Sequence, residues 1–541
     1  MCWCSSCPQG AAVCVCLHPN AKDTVTDPVL RSGQTWRTMM PTLRTLLFLG
    51  LWHSTRRSLA SAPQFGNQPK KIAVVGAGIG GSAAAYYLRQ EFGPGVQIDV
   101  FEPGEIGGRL STVRMGDHEY EVGGAIIHPL NLHMKHFVDT LGIPPREAVS
   151  SKMAIFDGEQ LIFEESDWFF INMLRLLWRY GFNMIRLQLW VESILDKFMR
   201  IYQYQQFGYS FTSVDRLLHA MGGEHFLSLK NQTLQEAMIS EGFSQTFIND
   251  LVEPVTRVNY GQNVRIHGFV GAVALAGAGP GLWAVDGGNK RVCSGLLYNS
   301  KSVVIKERVT SVSLKLRPSK SGAAGSFYEV NSVGEGGASH SLYDIVIIAT
   351  PLHSGMSDIS FSGFSPSVPS HFPGRFHQTV STLVHGRLNV SFLGCSSSEF
   401  RVSEVLTTAS ERSLSSLNAL DPVHVPPGYR RPPGDQQKVW KVFSSEPLTQ
   451  QQLQSMFLSW DSKSETRWLA YPSYSALQRK PPPFILHERV YYLNALEWAA
   501  SAMEMSAISA RNVALLAHHR WHQQSGKVDQ EDLHMRLRGE L

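Results

Sequence analysis

The feature that most constrains this chain is a glycine-rich turn set between a short apolar run and a run of small residues. Lys71-Ile72-Ala73-Val74-Val75 is apolar and β-branched, the pattern of a strand buried on both faces of a parallel sheet. It leads directly into Gly76-Ala77-Gly78-Ile79-Gly80-Gly81 and then Ser82-Ala83-Ala84-Ala85-Tyr86-Tyr87-Leu88, a segment of good helix formers. Glycines 76, 78 and 81 complete G-x-G-x-x-G in strand–turn–helix order, and Gly80 within the motif is counted with them as an expected cofactor-binding residue. The first permits a tight turn, the second lets a pyrophosphate approach the backbone, and the third lets helix pack on strand. The phosphates then face the positive end of the helix. A second strand, Val96 to Phe101, ends at Glu102, 26 residues past Gly76. A carboxylate there accepts hydrogen bonds from ribose hydroxyls and repels a 2′-phosphate. This segment predicts a Rossmann-type α/β domain that binds a dinucleotide.

Composition narrows the class. Hydrophobic residues make up 43% of the 541 and charged residues only 17%, so the chain is an enzyme-sized globule with a large interior and not a disordered one. Forty-nine basic residues stand against 45 acidic ones, and no basic run appears, which excludes a nucleic-acid partner. Five of the seven cysteines fall in the first sixteen residues, with no second pair or histidines at zinc spacing, so no metal site is predicted. From Met39 and Met40 the chain reads as a signal peptide: Arg44, an apolar core from Leu46 to Trp52, and Ala60-Ser61-Ala62. Residues 1–62 are therefore expected to be a leader. Two acceptor triplets, Asn231-Gln232-Thr233 and Asn389-Val390-Ser391, extend this to a glycoprotein of the secretory pathway, secreted or lysosomal. No run of about 20 apolar residues predicts a spanning helix.

Further motifs select the nucleotide. Gly107-Gly108-Arg109 follows the acidic residue, and Gly123-Gly124 follows Tyr120-Glu121-Val122. This layout resembles the glutathione-reductase-like flavoproteins, a group with amine oxidases and prenyl-binding GTPase dissociation inhibitors among its members. The resemblance implies FAD, with the Gly107-Gly108-Arg109 turn over its ribityl and pyrophosphate and Gly123-Gly124 close to the ring. It also implies that Val309, in Lys306 to Val312, pairs its backbone with adenine, and that Tyr343 to Pro351 is a strand returning to the nucleotide. Val490 to Glu497 leads into a turn at Ser501, and Ser501 and Glu504 stand at capping-box spacing, which predicts a helix start there. Glu497 and Ser501 are the expected cofactor residues of this last element.

Ile127-His128-Pro129-Leu130-Asn131-Leu132-His133-Met134, Gly287-Gly288-Asn289-Lys290, Cys293 to Leu297 and Leu493 to Ala500 narrow the likeness. With them the chain, from about Lys70 to Leu541, closely resembles the prenylcysteine oxidase family, and Leu493 to Trp498 reads like its oxidase-like branch. The resemblance implies cleavage of the thioether of S-farnesyl- or S-geranylgeranyl-cysteine to cysteine, a prenyl aldehyde and hydrogen peroxide. Hydride would leave the allylic carbon beside sulfur for flavin N5, water would add, and O2 would reoxidise the flavin. A non-catalytic prenyl carrier on the same fold is the alternative.

The expected fold is a glutathione-reductase-like FAD-binding Rossmann domain (70–130, 268–351 and 484–525) interleaved with an α+β substrate domain (131–267 and 352–483). Residues 315–342 read as a β-hairpin, and Asp421 to Gln437 as an exposed loop. Asp167 to Tyr204 reads as one or two helices broken at Gly181, with Arg175, Arg179, Arg186, Lys197 and Arg200 on one arc. Met173, Leu177, Met184, Val191, Leu195, Phe198 and Tyr202 lie roughly opposite. The expectation is that this apolar stripe packs on the core; the alternative is an interfacial helix admitting a lipid-like substrate at a peripheral membrane or lipoprotein surface. His128 is the candidate for orienting substrate or water, with the flavin itself carrying the chemistry. His133 and Cys293 are read as packed core residues.

Overall fold

The computed structural model describes residues 68–149, 151–278, 281–318, 324–395, 400–408, 414–434, 436–476, 480–531 and 533. The expected leader and signal peptide at 1–62 lie outside the described residues.

β1 (Lys71–Val75) lies inside a six-stranded sheet, with four of its five residues buried. On one side it pairs in parallel with β2 (Gln97–Phe101), which pairs in parallel with β7 (Val303–Ile305). On the other it pairs in parallel with β11 (Ile345–Ile348), which pairs in parallel with β19 (Val490–Tyr492). The antiparallel edge strand is β18 (Ile485–His487). Three distant stretches of sequence thus supply one sheet, whose inner strands β1, β11 and β19 are buried, as strands covered on both faces are. α1 (Ile79–Phe92) follows β1, and the C-terminal α6 (Met503–Trp521) packs against it.

A seven-stranded sheet runs β17 (Phe457–Pro472), β13 (Phe376–Leu388), β16 (Lys438–Ser444), β15 (Leu414–Ala419), β14 (Glu404–Thr407), β5 (Met153–Phe156) and β6 (Leu161–Glu164). Only its β14–β5 pair is parallel. The expected hairpin at 315–342 is a longer meander of β8 (Glu307–Pro318), β9 (Ala324–Gly334) and β10 (Gly337–Tyr343), and β12 (Ser360–Ser362) adds to it as a fourth strand parallel to β8. β3 (Thr112–Met115) and β4 (His118–Glu121) form a separate hairpin. Helices fill the chain between the sheets, including α2 (Leu132–Leu141), α3 (Phe169–Tyr180), α4 (Asn183–Phe198) and α5 (Lys290–Asn299). Among the described residues no helix is long and apolar enough to cross a membrane.

Two expectations are corrected here. The break at Gly181 occurs, but the buried face of α3 is Asn172, Leu176 and Tyr180, while Met173 and Leu177 are exposed. Polar anchors choose that face: the Asn172 side chain exchanges hydrogen bonds with Ser166, and the Tyr180 hydroxyl donates to Asp250 at 3.1 Å. The break also lets α4 set its own phase, with Trp190 and Ile194 buried. The stretch from Asp421 to Gln437 is irregular but not simply exposed. Asp421 is fully buried and accepts two bonds from Arg431, at 2.9 and 2.6 Å, because a buried carboxylate needs a paired cation.

Candidate functional site

The glycine turn is knitted to the next two loops by backbone alone. A β-carbon at Gly81 would lie 1.9 Å from the Gly76 carbonyl oxygen, so α1 packs on the turn only with glycine there. Gly76 (φ +105°) passes the backbone of Ala349 at the end of β11, where a β-carbon would come within 3.2 Å of its oxygen. Gly80 serves packing: its β-carbon would meet the Leu493 side chain at 2.7 Å. Gly78 differs from all three. Its conformation suits any residue, and the nearest atom to a β-carbon would be the Gly107 oxygen at 3.7 Å. The open side of the turn is therefore at Gly78, where a pyrophosphate needs room. Glu102 closes the other side, its carboxylate accepting from the Ala77 amide at 3.0 Å and the Gly104 amide at 2.9 Å.

Gly107 and Gly108 bring the second loop against the first. The Gly107 amide donates to the Ala77 carbonyl at 3.0 Å, and Gly107 sits at φ +128°. The third loop then locks to the second: the Gly124 amide donates to the Arg109 carbonyl at 3.1 Å, and a β-carbon at Gly123 would strike that same oxygen at 1.9 Å. Asn289, at the start of α5, donates its side-chain amide to the Gly124 carbonyl at 3.0 Å and its backbone amide to Glu121 at 2.7 Å. Burial pushes the Glu121 carboxyl up to about 7, with that backbone bond opposing. Val309 is buried in β8 beside a register shift between Val309 and Ser311, which interrupts its ladder with β9.

From the C-terminal side, Glu497 reaches this cluster. It lies in a 3₁₀ turn, Leu493–Trp498, and accepts from Arg109, from Asn494 at 3.0 Å and from the Ser501 hydroxyl at 3.1 Å. Arg109 also donates to the Ala470 carbonyl at the end of β17. Arg109, Glu497 and Ser501, 392 positions apart at the extremes, are thus one assembly. The expected capping box does not form. α6 begins at Met503 with Ala502 as its cap, because the Ser501 hydroxyl is committed to Glu497. The Glu504 carboxylate instead accepts from the amides of His133 (2.8 Å) and Met134 (3.0 Å) and from the Tyr202 hydroxyl (2.8 Å).

Sequence reasoning missed an aromatic wall beside this assembly. Tyr260 meets Tyr471 and Tyr474 edge-to-face, with ring centroids 5.2 and 5.4 Å apart. The Tyr474 hydroxyl donates to the Glu497 carbonyl and that of Tyr260 to the Ser501 carbonyl, both at 3.0 Å. The partners are some two hundred residues apart, so no spacing rule could have paired them. Trp498 packs edge-on against Phe376 at 5.7 Å.

His128 lies in the turn before α2. Its Nδ1 accepts from the Leu130 amide at 3.1 Å, and burial pushes its pKa down to about 4. The ring is neutral, and Nε2–H is left as a donor. His133 is the core residue expected: the Tyr87 hydroxyl donates to its Nδ1 at 2.6 Å, and its Nε2 donates to Gln205 at 2.7 Å. Cys293 is buried, which pushes its thiol up to about 12, and neither Cys293 nor Cys395 is in a disulfide. Asn231 is exposed; Asn389 is half-buried and donates to the Ser455 carbonyl at 2.9 Å. Among the described residues no cluster of His, Cys, Asp and Glu could hold a metal.

A Rossmann-like NAD(P)-binding domain model matches residues 74–141. In fold the chain is similar to a triple-mutant putrescine oxidase, with a TM-score of 0.54 at 14% identity over 82% of this chain and 98% of that one. It is similar also to cyclohexylamine oxidase from Brevibacterium oxydans, at 0.51 and 14% over 83% and 99%. With the sheet order and the three knitted loops, these define the class: a glutathione-reductase-like α/β flavoprotein fold. The model of the prenylcysteine lyase family matches residues 163–530. Prenylcysteine oxidase 1 of Bos taurus is 48% identical over 92% of this chain and 96% of its own length. The Homo sapiens protein of that name is 49% identical over 87% and 94%, and human prenylcysteine oxidase 1-like is 45% identical over 89% and 97%. The chain belongs to the prenylcysteine lyase family. Across the whole alignment it is slightly nearer to these prenylcysteine oxidase 1 sequences than to the 1-like protein, whatever the Leu493–Trp498 stretch reads like alone.

Proposed function

We propose that this protein is an FAD-dependent oxidase that cleaves S-farnesyl- or S-geranylgeranyl-cysteine at the thioether, with O2 as electron acceptor. The observation that carries the reading is its 48% identity to a prenylcysteine oxidase over 92% of the chain, substrate-side segments included. The residues present fit the cofactor. The open backbone at Gly78, beside the Glu102 carboxylate, is the cradle a dinucleotide needs, and a β-carbon would fill it.

In this reading Gly76, Gly78, Gly81 and Glu102 hold the adenosine and pyrophosphate end. Gly107, Gly108, Arg109, Gly123 and Gly124 hold the middle, Val309 meets the adenine, and Glu497 and Ser501 meet the flavin end. Gly80 supports the turn by admitting Leu493. Bound FAD supplies a two-electron acceptor for the carbon–hydrogen bond beside sulfur, which is weakened because the departing hydride leaves a cation stabilised by sulfur and the adjacent double bond. The balance is thioether, water and O2 giving thiol, aldehyde and hydrogen peroxide. The protein's part is orientation and exclusion. Arg109 is held in one pose by Glu497 and the Ala470 carbonyl. The tyrosine trio walls off solvent beside them, and the neutral His128 offers Nε2–H to orient substrate or water.

Incubation of purified protein with farnesylcysteine in air should release cysteine, farnesal and hydrogen peroxide in equal amounts. Tight binding of farnesylcysteine with none of the three products would overturn the reading in favour of a carrier. The same reading assigns the protein to the secretory pathway, with Asn231 and Asn389 as acceptors for glycans.

A further inference from the structure

One face of the seven-stranded sheet carries buried polar atoms that the packing leaves unbonded. Lys441 on β16 stands opposite Leu383 on β13 and Asn418 on β15, so their side chains share that face. Ser381, two residues from Leu383, lies on it as well. On the reverse face Trp440, Val442, Leu417 and Val384 join one apolar cluster. The β3–β4 hairpin covers the first face, with Tyr120 and Val122 in a single cluster with Leu383 and Val439. It brings Glu121 within electrostatic reach of Lys441. Lys441 and Glu121 are each 1% exposed. The Lys441 ammonium lies over the Phe443 ring, 4.8 Å from its centre, and donates no hydrogen bond among the described residues. Glu121 Oε2, Asn418 Oδ1 and the Ser381 hydroxyl have no bonded partner there either.

Buried ions usually pair directly, because leaving either charge unbonded is costly. A cation and a carboxylate held near each other without a bond between them instead complement a ligand that carries both signs. Arg146 lies in electrostatic reach of both and adds a second cation, which favours an anionic group at Lys441. Burial pulls Lys441 down to about 8 and pushes Glu121 up to about 7, so each needs a counter-charge to stay firmly ionised. The site adjoins the cofactor assembly. Glu121 accepts from the amide of Asn289, whose side chain holds the Gly124 carbonyl. β13, which carries Ser381, pairs with β17, whose Ala470 carbonyl accepts from Arg109. Resting on the reading that the substrate is an S-prenyl-cysteine, we propose that this face holds its amino-acid end, with the Lys441 ammonium bonded to the α-carboxylate and Glu121 to the α-ammonium. The prenyl chain is apolar throughout, so these two charges separate the amino acid from a prenyl alcohol or a prenyl thiol.

S-dodecylcysteine carries the same zwitterion on a chain with no double bond beside the thioether carbon, so it reports binding without turnover. Two relatives each lack one charge: S-dodecylcysteamine has no carboxylate, and dodecylthiopropionate has no ammonium. In calorimetric titration of the purified full chain, S-dodecylcysteine should bind about tenfold more tightly than either. Lys441→Met, which keeps the volume, should weaken S-dodecylcysteine about tenfold and abolish its advantage over S-dodecylcysteamine. Glu121→Gln should abolish the advantage over dodecylthiopropionate. The wild-type ranking stands as a test even where a variant does not fold. Equal affinity of the three ligands for wild-type protein, or the wild-type ranking retained in Lys441→Met, overturns the proposal. Oxidation of farnesylcysteine without that ranking overturns it and leaves the oxidase reading intact. The expected ranking without oxidation supports the site and rejects the oxidase.

Discussion

At Gly81 a β-carbon would sit 1.9 Å from a backbone oxygen, while at Gly78, three residues away, it would touch nothing closer than 3.7 Å. The two glycines of one turn therefore answer to different demands. Gly81→Ala forces the helix off the strand and should cost the fold itself about 3 kcal/mol or more, read as a lower unfolding midpoint with or without cofactor. Gly78→Val should leave the cofactor-free protein close to wild-type stability yet abolish flavin retention on desalting. Equal loss of stability in both would deny Gly78 its open role. His133 supplies a pH test. Burial pushes its pKa down to about 3 from 6.5, so as pH falls the unfolded state takes the proton first. The stability of the neutral ring is fully present above pH 6.5 and is lost through the window down to about 3. His133→Gln should be less stable than wild type at neutral pH, since Tyr87 and Gln205 lose their partner. It should also lose about 2 kcal/mol less on acidification to roughly pH 5. Parallel pH profiles for the two proteins would contradict this.

At the scale of elements, the C-terminal helix is tied to α2 through one side chain. Glu504 satisfies two amides at the start of α2 and the Tyr202 hydroxyl, and burial pushes its carboxyl up to about 7. Glu504→Ala strands those donors and should cost about 3 kcal/mol or more, with Glu504→Gln milder because its amide oxygen still accepts. The raised value means the folded state takes a proton first, so wild-type stability falls as pH rises from 4.5 toward 7. Glu504→Gln should lose that slope; a retained slope would assign it to another buried carboxylate.

The same elements show what was legible in the sequence. The β1–α1 turn was, because the demands that shape it are close by: Gly81 answers to the Gly76 carbonyl within the turn, and Gly76 to the end of the strand beside it. The capping box at Ser501 was misread because Glu497, four residues earlier, competes for the serine hydroxyl once Arg109 arrives from the other end of the chain. The tyrosine trio and the buried face of α3 were not legible, since Tyr260, Tyr471 and Asp250 are brought in by tertiary packing. Periodicity finds an apolar stripe but does not say which side the core is on.

Across the whole molecule, the nucleotide-binding sheet draws strands from three stretches of chain, and the segments between them carry the second sheet and the helices. A secretory origin predicts that enzymatic deglycosylation lowers the apparent mass and that Asn231→Gln removes part of that shift, because Asn231 is exposed. No change in mobility would argue against passage through the secretory pathway. The central claim is that this fold holds FAD as an oxidant for a prenyl thioether, and the visible absorption spectrum under anaerobic conditions tests it most directly. Purified protein should show an oxidised flavin band near 450 nm, about one per chain and released on denaturation. Farnesylcysteine added without oxygen should bleach the band, and air should restore it with release of peroxide. A protein that carries no flavin, or one whose band is unmoved by saturating farnesylcysteine, would contradict the account.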